Sequence, residues 1–206
     1  MASSAKENIL KKIRQALSNP VPLPFPKSEG KNSVYLPPTD DLEVQFAEEF
    51  TKLLGKFAFC LNEADLKVQL QKLIAEKKWD KIYCKEEKLL SLINPPVNQS
   101  TLADCDASVT DCEYLIARTG SIVLSAAQPS GRTVSVYAPI HICIAYTSQL
   151  VYDIKDGLQL IKEKYGEAFP SLITFATGPS RTADIEKTLV VGVHGPKEVY
   201  LFLVDK

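Results

Sequence analysis

Residues 57–84 read FAFCLNEADLKVQLQKLIAEKKWDKIYC, and the periodicity of this stretch decides the fold. Phe57 to Cys60 is a short apolar run of strand character. Asn62 or Glu63 then opens a helix whose Leu66, Leu70, Leu73 and Ile74 recur on one face. Lys81 to Cys84 reads as the next strand. Strand, helix and strand in this order imply parallel pairing and a right-handed crossover. Upstream, Thr39 or Asp40 caps a helix to about Leu54, with Leu42, Phe46, Phe50 and Leu53 or Leu54 on one side, and Gly55 ends it.

Downstream the signals vary. Between 85 and 112 only Glu87 to Leu92 suggests a helix, broken by Asn94-Pro95-Pro96. Three strand-like runs follow: Tyr114 to Ala117, Ser121 to Ser125, and Thr133 to Tyr146 interrupted at Ala138-Pro139. A helix over 148–165 is expected to pack through Leu150, Val151, Ile154, Leu158 and Ile161. Leu172 to Ala176 is a strand leading into Gly178, and Val199 to Val204 closes the chain. The expected class is α/β, with a mostly parallel sheet flanked by helices.

The N-terminal part differs. Residues 4–18 form an amphipathic helix with Ile9, Ile13 and Leu17 at helical spacing. Six of the 13 prolines then fall between Pro20 and Pro38. Proline locks φ and lacks a donor, so this is an extended arm. The expected division is a helix with arm over 1–38 and a domain over 39–206. The helix docks on another protein or folds back on its own domain.

Composition excludes several classes. The formal net charge is −1, without a basic stripe, which argues against nucleic acid as the partner. No run approaches the roughly 20 apolar residues of a membrane span. The N-terminus lacks the apolar core of a secretory signal, so a cytoplasmic location is expected. Cys60, Cys84, Cys105, Cys112 and Cys143 are odd in number and widely spaced, with no Cys-x-x-Cys pair. A zinc ribbon or ferredoxin-type run is therefore absent, and the thiols read as reduced and mostly buried. Two histidines do not make a histidine-rich metal site, and no metal is expected.

Four constellations could carry chemistry. Thr177 to Asp184 sits where a strand ends and a helix is expected to begin. There Ser180 or Thr182 can cap the helix, and Arg181 can pair with a carboxylate or phosphate. Asp184 and Glu186, in the first turn, would complement the helix dipole and repel an anion. The alternative is an ordinary capped helix start, with Arg181 paired to Asp184. His194-Gly195-Pro196 marks a tight turn with a histidine that can act as a base or is structural. Arg118-Thr119-Gly120-Ser121 lies between two strands and offers hydroxyls and a permissive glycine, or is simply a hairpin. Gly131-Arg132 and Pro139-Ile140-His141 place Arg132 and His141 at strand starts.

Taken together, the segments Gly178 to Glu186 and Leu189 to Pro196 closely resemble the signature of the lactate-utilisation (LUD) domain family. Thr119 to Leu124 and Pro139 to Ile142 resemble two further motifs of that family in the same order, and the N-terminal helix and arm resemble its protein C branch. Gly178, Ser180, Arg181, Thr182, Asp184, Glu186, His194 and Gly195 match the signature, and Gly120 and His141 the upstream motifs. Arg118 departs from a commonly acidic position.

The resemblance implies a fold like the ribose-phosphate isomerase, glucosamine-phosphate deaminase and CoA-transferase group. It also implies a role in oxidising L-lactate to pyruvate. The implied partners are a cysteine-rich iron–sulfur subunit and a subunit with a LUD domain and ferredoxin-like motifs. This chain would carry no cofactor itself, with iron–sulfur clusters on its partners. The resulting expectation is a small-carboxylate pocket formed by Gly120, Ser121, Arg132, Gly178, Ser180, Arg181, Thr182, Asp184, Glu186 and Gly195, with His194 or His141 moving a proton. A stand-alone enzyme or binding protein for a small phosphorylated or acyl ligand, and an assembly module acting through the first helix, are the alternatives.

Overall fold

The computed structural model describes residues 5–18, 41–93, 101–185 and 188–206, without the side chains of 182–189. The proline-rich arm, Thr39, Asp40, Asn94-Pro95-Pro96 and Glu186 lie outside the described residues. The chain divides into two units, residues 1–37 and 38–206. In the first, α1 spans Ala5–Leu17. Among the described residues no helix is long and apolar enough to cross a membrane.

In the second unit α2 (Leu42–Lys52) leads into β1 (Lys56–Cys60), α3 (Glu63–Lys77) and β2 (Ile82–Cys84). Asn62 caps α3, its Oδ1 accepting from Ala64 N at 2.9 Å and Asp65 N at 3.0 Å. A short α4 (Glu87–Ile93) precedes β3 (Ala107–Thr110). Then come β4 (Tyr114–Ile116), β5 (Ser121–Ser125), a single turn α5 (Val134–Tyr137) and β6 (Ile140–Tyr146). The two-residue β7 (Leu150–Val151), α6 (Ile154–Tyr165) and β8 (Ile173–Ala176) follow. The chain closes with β9 (Arg181–Ile185), β10 (Thr188–Val191) and β11 (Glu198–Val204).

A five-stranded sheet in the order β1-β11-β6-β3-β2, parallel throughout, forms the centre. A four-stranded sheet, β7-β4-β5-β8, lies over one of its faces. The alternation along β6 and β11 builds both cores. Ile142, Ile144, Tyr200, Phe202 and Val204 pack against Leu66 and Leu70 of α3 and Leu89, Leu92 and Ile93 of α4. Cys143, Ala145, Val199, Leu201 and Leu203 face Phe46 and Phe50 of α2 and Leu115, Ile122 and Leu124 of the second sheet. That sheet's other face, Ile116 and Val123, packs on Ile161 of α6. The fold is therefore α/β, with its parallel sheet buried on both faces.

Five expectations change. β1 and β2 are parallel members of one sheet but occupy opposite edges, so they do not pair. Strand β3, unread in the sequence, is the small, fully buried segment Ala-Ser-Val-Thr beside β6. The run 133–146 divides, because Thr133 to Tyr137 closes a helical turn and Arg132 precedes it in a turn, not at a strand start. The helix expected from 148 starts at Ile154, capped by Asp153, and Leu150 and Val151 pair in β7 with Leu115 and Ile116. Their β-branched and leucine side chains fit either period, and strand pairing wins.

The fifth is the largest. Among the described residues no helix begins after Gly178: Arg181 opens β9, which pairs antiparallel with β10 (Val191 opposite Arg181, Ile185 opposite Thr188). Thr182, Ile185, Thr188, Val190 and Val191 are β-branched and show no helical repeat. The segment therefore opens a strand and leaves no helix start for Ser180 or Thr182 to cap. The thiols are free, with Cys60, Cys105, Cys112 and Cys143 buried and Cys84 half-buried. Burial pushes the Cys60 and Cys84 thiols up to about 11.

Candidate functional site

Two close backbone approaches fix the glycine turns against the end of α2. Gly120 lies at φ +59°, and a β-carbon there would fall 2.4 Å from the Phe50 amide nitrogen. Gly178 lies at φ +87°, and its β-carbon would fall 2.3 Å from Leu53 O. Both positions need glycine for conformation and for space. The hydroxyls between them form a chain: Thr119 Oγ1 to Ser121 Oγ at 2.7 Å, and Ser121 Oγ to Thr177 Oγ1 at 2.8 Å.

Beyond Gly178 the chain clamps the histidine turn. Ser180 N donates to Pro196 O at 2.9 Å, and Gly192 N donates to Ser180 O at 2.8 Å. Lys197 N donates to Pro139 O at 2.7 Å, tying the same turn to the start of β6. The turns at 119–121, 177–180 and 192–197 thus form one continuous assembly, at the end of the central sheet where β1, β6 and β11 begin. A hollow of about 460 Å³ opens there, lined by Val136, Tyr137, Pro139, His194 and Lys197 with Gly192 and Gly195. Among the described residues no carboxylate lines it. An imidazole, an ammonium and an exposed tyrosine suit a small anion with an apolar part.

Other expected residues fall elsewhere. Arg181 is exposed on β9, outside the hollow's lining. Thr182 and Asp184 belong to β9. Arg132 is exposed and donates to Ser171 Oγ at 2.6 Å, away from the assembly. His141 is buried inside the sheet layers, with Nε2 2.9 Å from Thr110 Oγ1 and Nδ1 without a partner. Burial lowers its pKa to about 4, so the ring is neutral at physiological pH and shut off from solvent. Arg118 pairs through Nε with Asp153 Oδ2 at 2.5 Å, and its amide donates to Tyr152 O. Arginine at 118 therefore ties the turn before β5 to the cap of α6.

A second polar cluster, unread in the sequence, occupies the opposite end of the central sheet. Glu86 follows β2 and Asp111 follows β3. Asp111 N donates to Glu86 Oε2 at 2.7 Å, while Lys88 pairs with Asp111 and Gln149 Nε2 donates to its Oδ1 at 3.1 Å. Burial raises the Glu86 carboxyl. Nearby, Glu63 accepts from Tyr146 Oη and pairs with Lys206, both at 3.1 Å. Polar residues directly after Cys84 and Thr110 are the available signal, obscured because Ala107 to Thr110 is too short and too small in side chain to stand out as a strand. Loops beyond strand carboxyl ends commonly bind ligands in open α/β sheets. Here, however, Lys88 and Lys206 already neutralise Asp111 and Glu63, and carboxylates make up much of the cluster, so the amino-end hollow is better suited to an anion. Among the described residues no group of three or more His, Cys, Asp or Glu is placed to hold a metal ion.

A parallel sheet buried on both faces, with glycine-built turns at one end, defines an α/β domain with a loop-assembled site. The LUD domain model matches residues 44–204, and the chain belongs to that family. Lactate utilization protein C of Bacillus licheniformis is 41% identical over 101 residues, 48% of this chain and 42% of that protein. Lactate utilization protein C of Deinococcus radiodurans is 33% identical over 111 residues, 53% of this chain and 51% of that protein. The counterpart from Shouchella clausii is 38% identical over 112 residues, covering 53% and 48%. The chain thus spans about half the length of the curated relatives it matches. The crystal structure of a DUF162 family protein from Deinococcus radiodurans superimposes with a TM-score of 0.58 at 20% identity. It covers 79% of this chain and 96% of that one, a likeness of fold.

Proposed function

We propose that this chain acts in lactate utilisation, as the cluster-free subunit of a cytoplasmic iron–sulfur system that oxidises L-lactate to pyruvate. The relatives named lactate utilization protein C support the metabolic role. The observation that carries the site is the hollow bearing His194 and Lys197, with no lining carboxylate among the described residues. Lys197 pairs with the substrate carboxylate, Tyr137 and Val136 cover its methyl group, and His194 takes the hydroxyl proton. Lactate oxidation releases two electrons and two protons: His194 holds the hydroxyl proton, and the Cα–H bond gives up its electron pair to the partner subunits and its proton to solvent. The electron chemistry belongs to clusters expected on a cysteine-rich partner subunit and a LUD/ferredoxin-type subunit. This chain's share is to bind the acid and hold a proton.

The test is capture of the tagged chain from its native cell under anaerobic conditions, with iron and L-lactate-dependent dye reduction measured on the eluate. Cysteine-rich partners that reduce dye with L-lactate support the proposal. An iron-free single chain that turns over a phosphorylated or acyl substrate unaided overturns it.

A further inference from the structure

We propose that two copies of this chain pair through the outer edge of β1, antiparallel about a two-fold axis at Ala58, joining their central sheets into one of ten strands. The central sheet ends at β1, and among the described residues no strand pairs with its outer side. Residues along a strand bond alternately to one side and the other. Cys60 O accepts from Asp205 N just beyond β11, so Lys56, Ala58 and Cys60 serve the inner ladder. Phe57 and Phe59 therefore turn their N–H and C=O groups outward. Among the described residues a single side-chain bond meets them, Gln69 Nε2 to Phe59 O at 3.0 Å.

Edge strands of monomers are usually guarded by proline, inward charge, a bulge or a covering element. Phe57 to Leu61 contains none of the first three. Exposed apolar side chains surround it: Phe59 is 41% exposed, Leu61 70%, Val44 of α2 52% and Val68 of α3 66%. A hollow on the α2 side is lined by Val44, Ala47, Phe57 and Phe59 together with Asp41, Glu43 and Asp205, and another on the α3 side by Ala58, Leu73 and Phe202 together with Lys56, Lys72 and Glu76.

A second copy fits this edge because the edge is complementary to itself. With the axis at Ala58, Phe57 of each copy stands opposite Phe59 of the other. Both are outward-bonding residues, so each pair exchanges two hydrogen bonds, four in all, once Gln69 releases Phe59 O. Ala58 meets its own counterpart as a close pair with Cβ atoms about 5 Å apart, where a small residue is needed. The phenylalanines meet on the α2 side beside Val44, where cross-strand aromatic pairs are favourable. The same patch on both copies is what a closed two-fold interface requires.

Sedimentation of the full chain tests this, together with Ala58→Cys under mild oxidation and Phe59→Pro. The expected mass is twice 22.8 kDa. The expected Ala58→Cys product is a disulfide-linked dimer absent from the unmodified chain. Phe59→Pro removes an outward N–H and leaves the β1–β11 ladder intact, so it should yield a folded monomer. Phe59→Lys gives the same readout through charge, should the proline variant misfold. A monomer of 22.8 kDa at all concentrations overturns the proposal. So does a dimer that survives both Phe59 variants and yields no Ala58→Cys crosslink.

Discussion

Ser180 lies against Gly195 so closely that a β-carbon on the glycine would fall 2.8 Å from Ser180 Cβ. Two turns of the family signature, separated by the whole β9–β10 hairpin, are thereby pressed together, and His194 is held at the mouth of the hollow. The hairpin thus spaces the two turns.

Gly178→Ala should be strongly destabilising. It places a side chain at φ +87° and 2.3 Å from Leu53 O, which is backbone and cannot rotate away. Left-handed strain and overpacking together amount to about 3 kcal/mol. The urea midpoint measures it, and an unchanged midpoint would contradict the close approach to α2.

Glu113 anchors a buried network. Burial pushes its carboxyl up, but Lys164, Ser125 and Tyr165 outweigh that and hold it below the usual carboxylate range. Lys164 Nζ stands 2.8 Å from Oε2, while Ser125 Oγ and Tyr165 Oη donate to Oε1 at 2.5 and 2.7 Å. Glu113→Ala strands these donors and should cost about 3 kcal/mol. Lys164→Met leaves the buried carboxylate with its two hydroxyl donors but no counter-ion, and should cost less, about 1.5 kcal/mol. Equal losses from the two variants in chemical denaturation would refute this division.

His141 sets an acid limit on stability. Its folded pKa of about 4 lies below the ordinary value of 6.5 because burial disfavours the charged ring. Between these values the unfolded chain binds a proton that the folded chain refuses, so stability rises with pH across that window. It is fully present above about pH 6.5 and declines toward pH 4, at up to about 1.4 kcal/mol per pH unit from this one proton. His141→Gln should flatten that part of the stability–pH curve. A curve of unchanged slope in the variant would assign the dependence to other groups.

Ligand affinity should separate the residues that line the hollow from those that do not. His194→Ala and Lys197→Ala each remove one charged or polar partner from a carboxylate and should weaken L-lactate binding about tenfold in calorimetric titration. Both side chains are exposed, so thermal stability should be preserved. Arg132→Ala, whose side chain is occupied with Ser171, should bind as the native chain does. Equal weakening from Arg132→Ala would remove the hollow from consideration.

What the sequence determined by itself was local and periodic. Helix α3 shows its Asn62 cap and its Leu66–Leu70–Leu73–Ile74 stripe, because capping and burial of one face act within a few residues. The α/β class and the family followed from such segments and from the motifs at 178–196. Tertiary structure decided what depends on partners distant in the chain. β3 is recognisable as a strand only beside β6, since four small or β-branched residues have no preference strong enough to show alone. The pairing of β9 with β10 prevailed over the helix-start reading because Arg181 stands opposite Val191 and Ile185 opposite Thr188 in antiparallel register, and Arg181 was thereby placed outside the hollow's lining. His141 shows the same division: its motif is legible in the sequence, but its burial, and with it its protonation, arises from layers contributed by the whole domain.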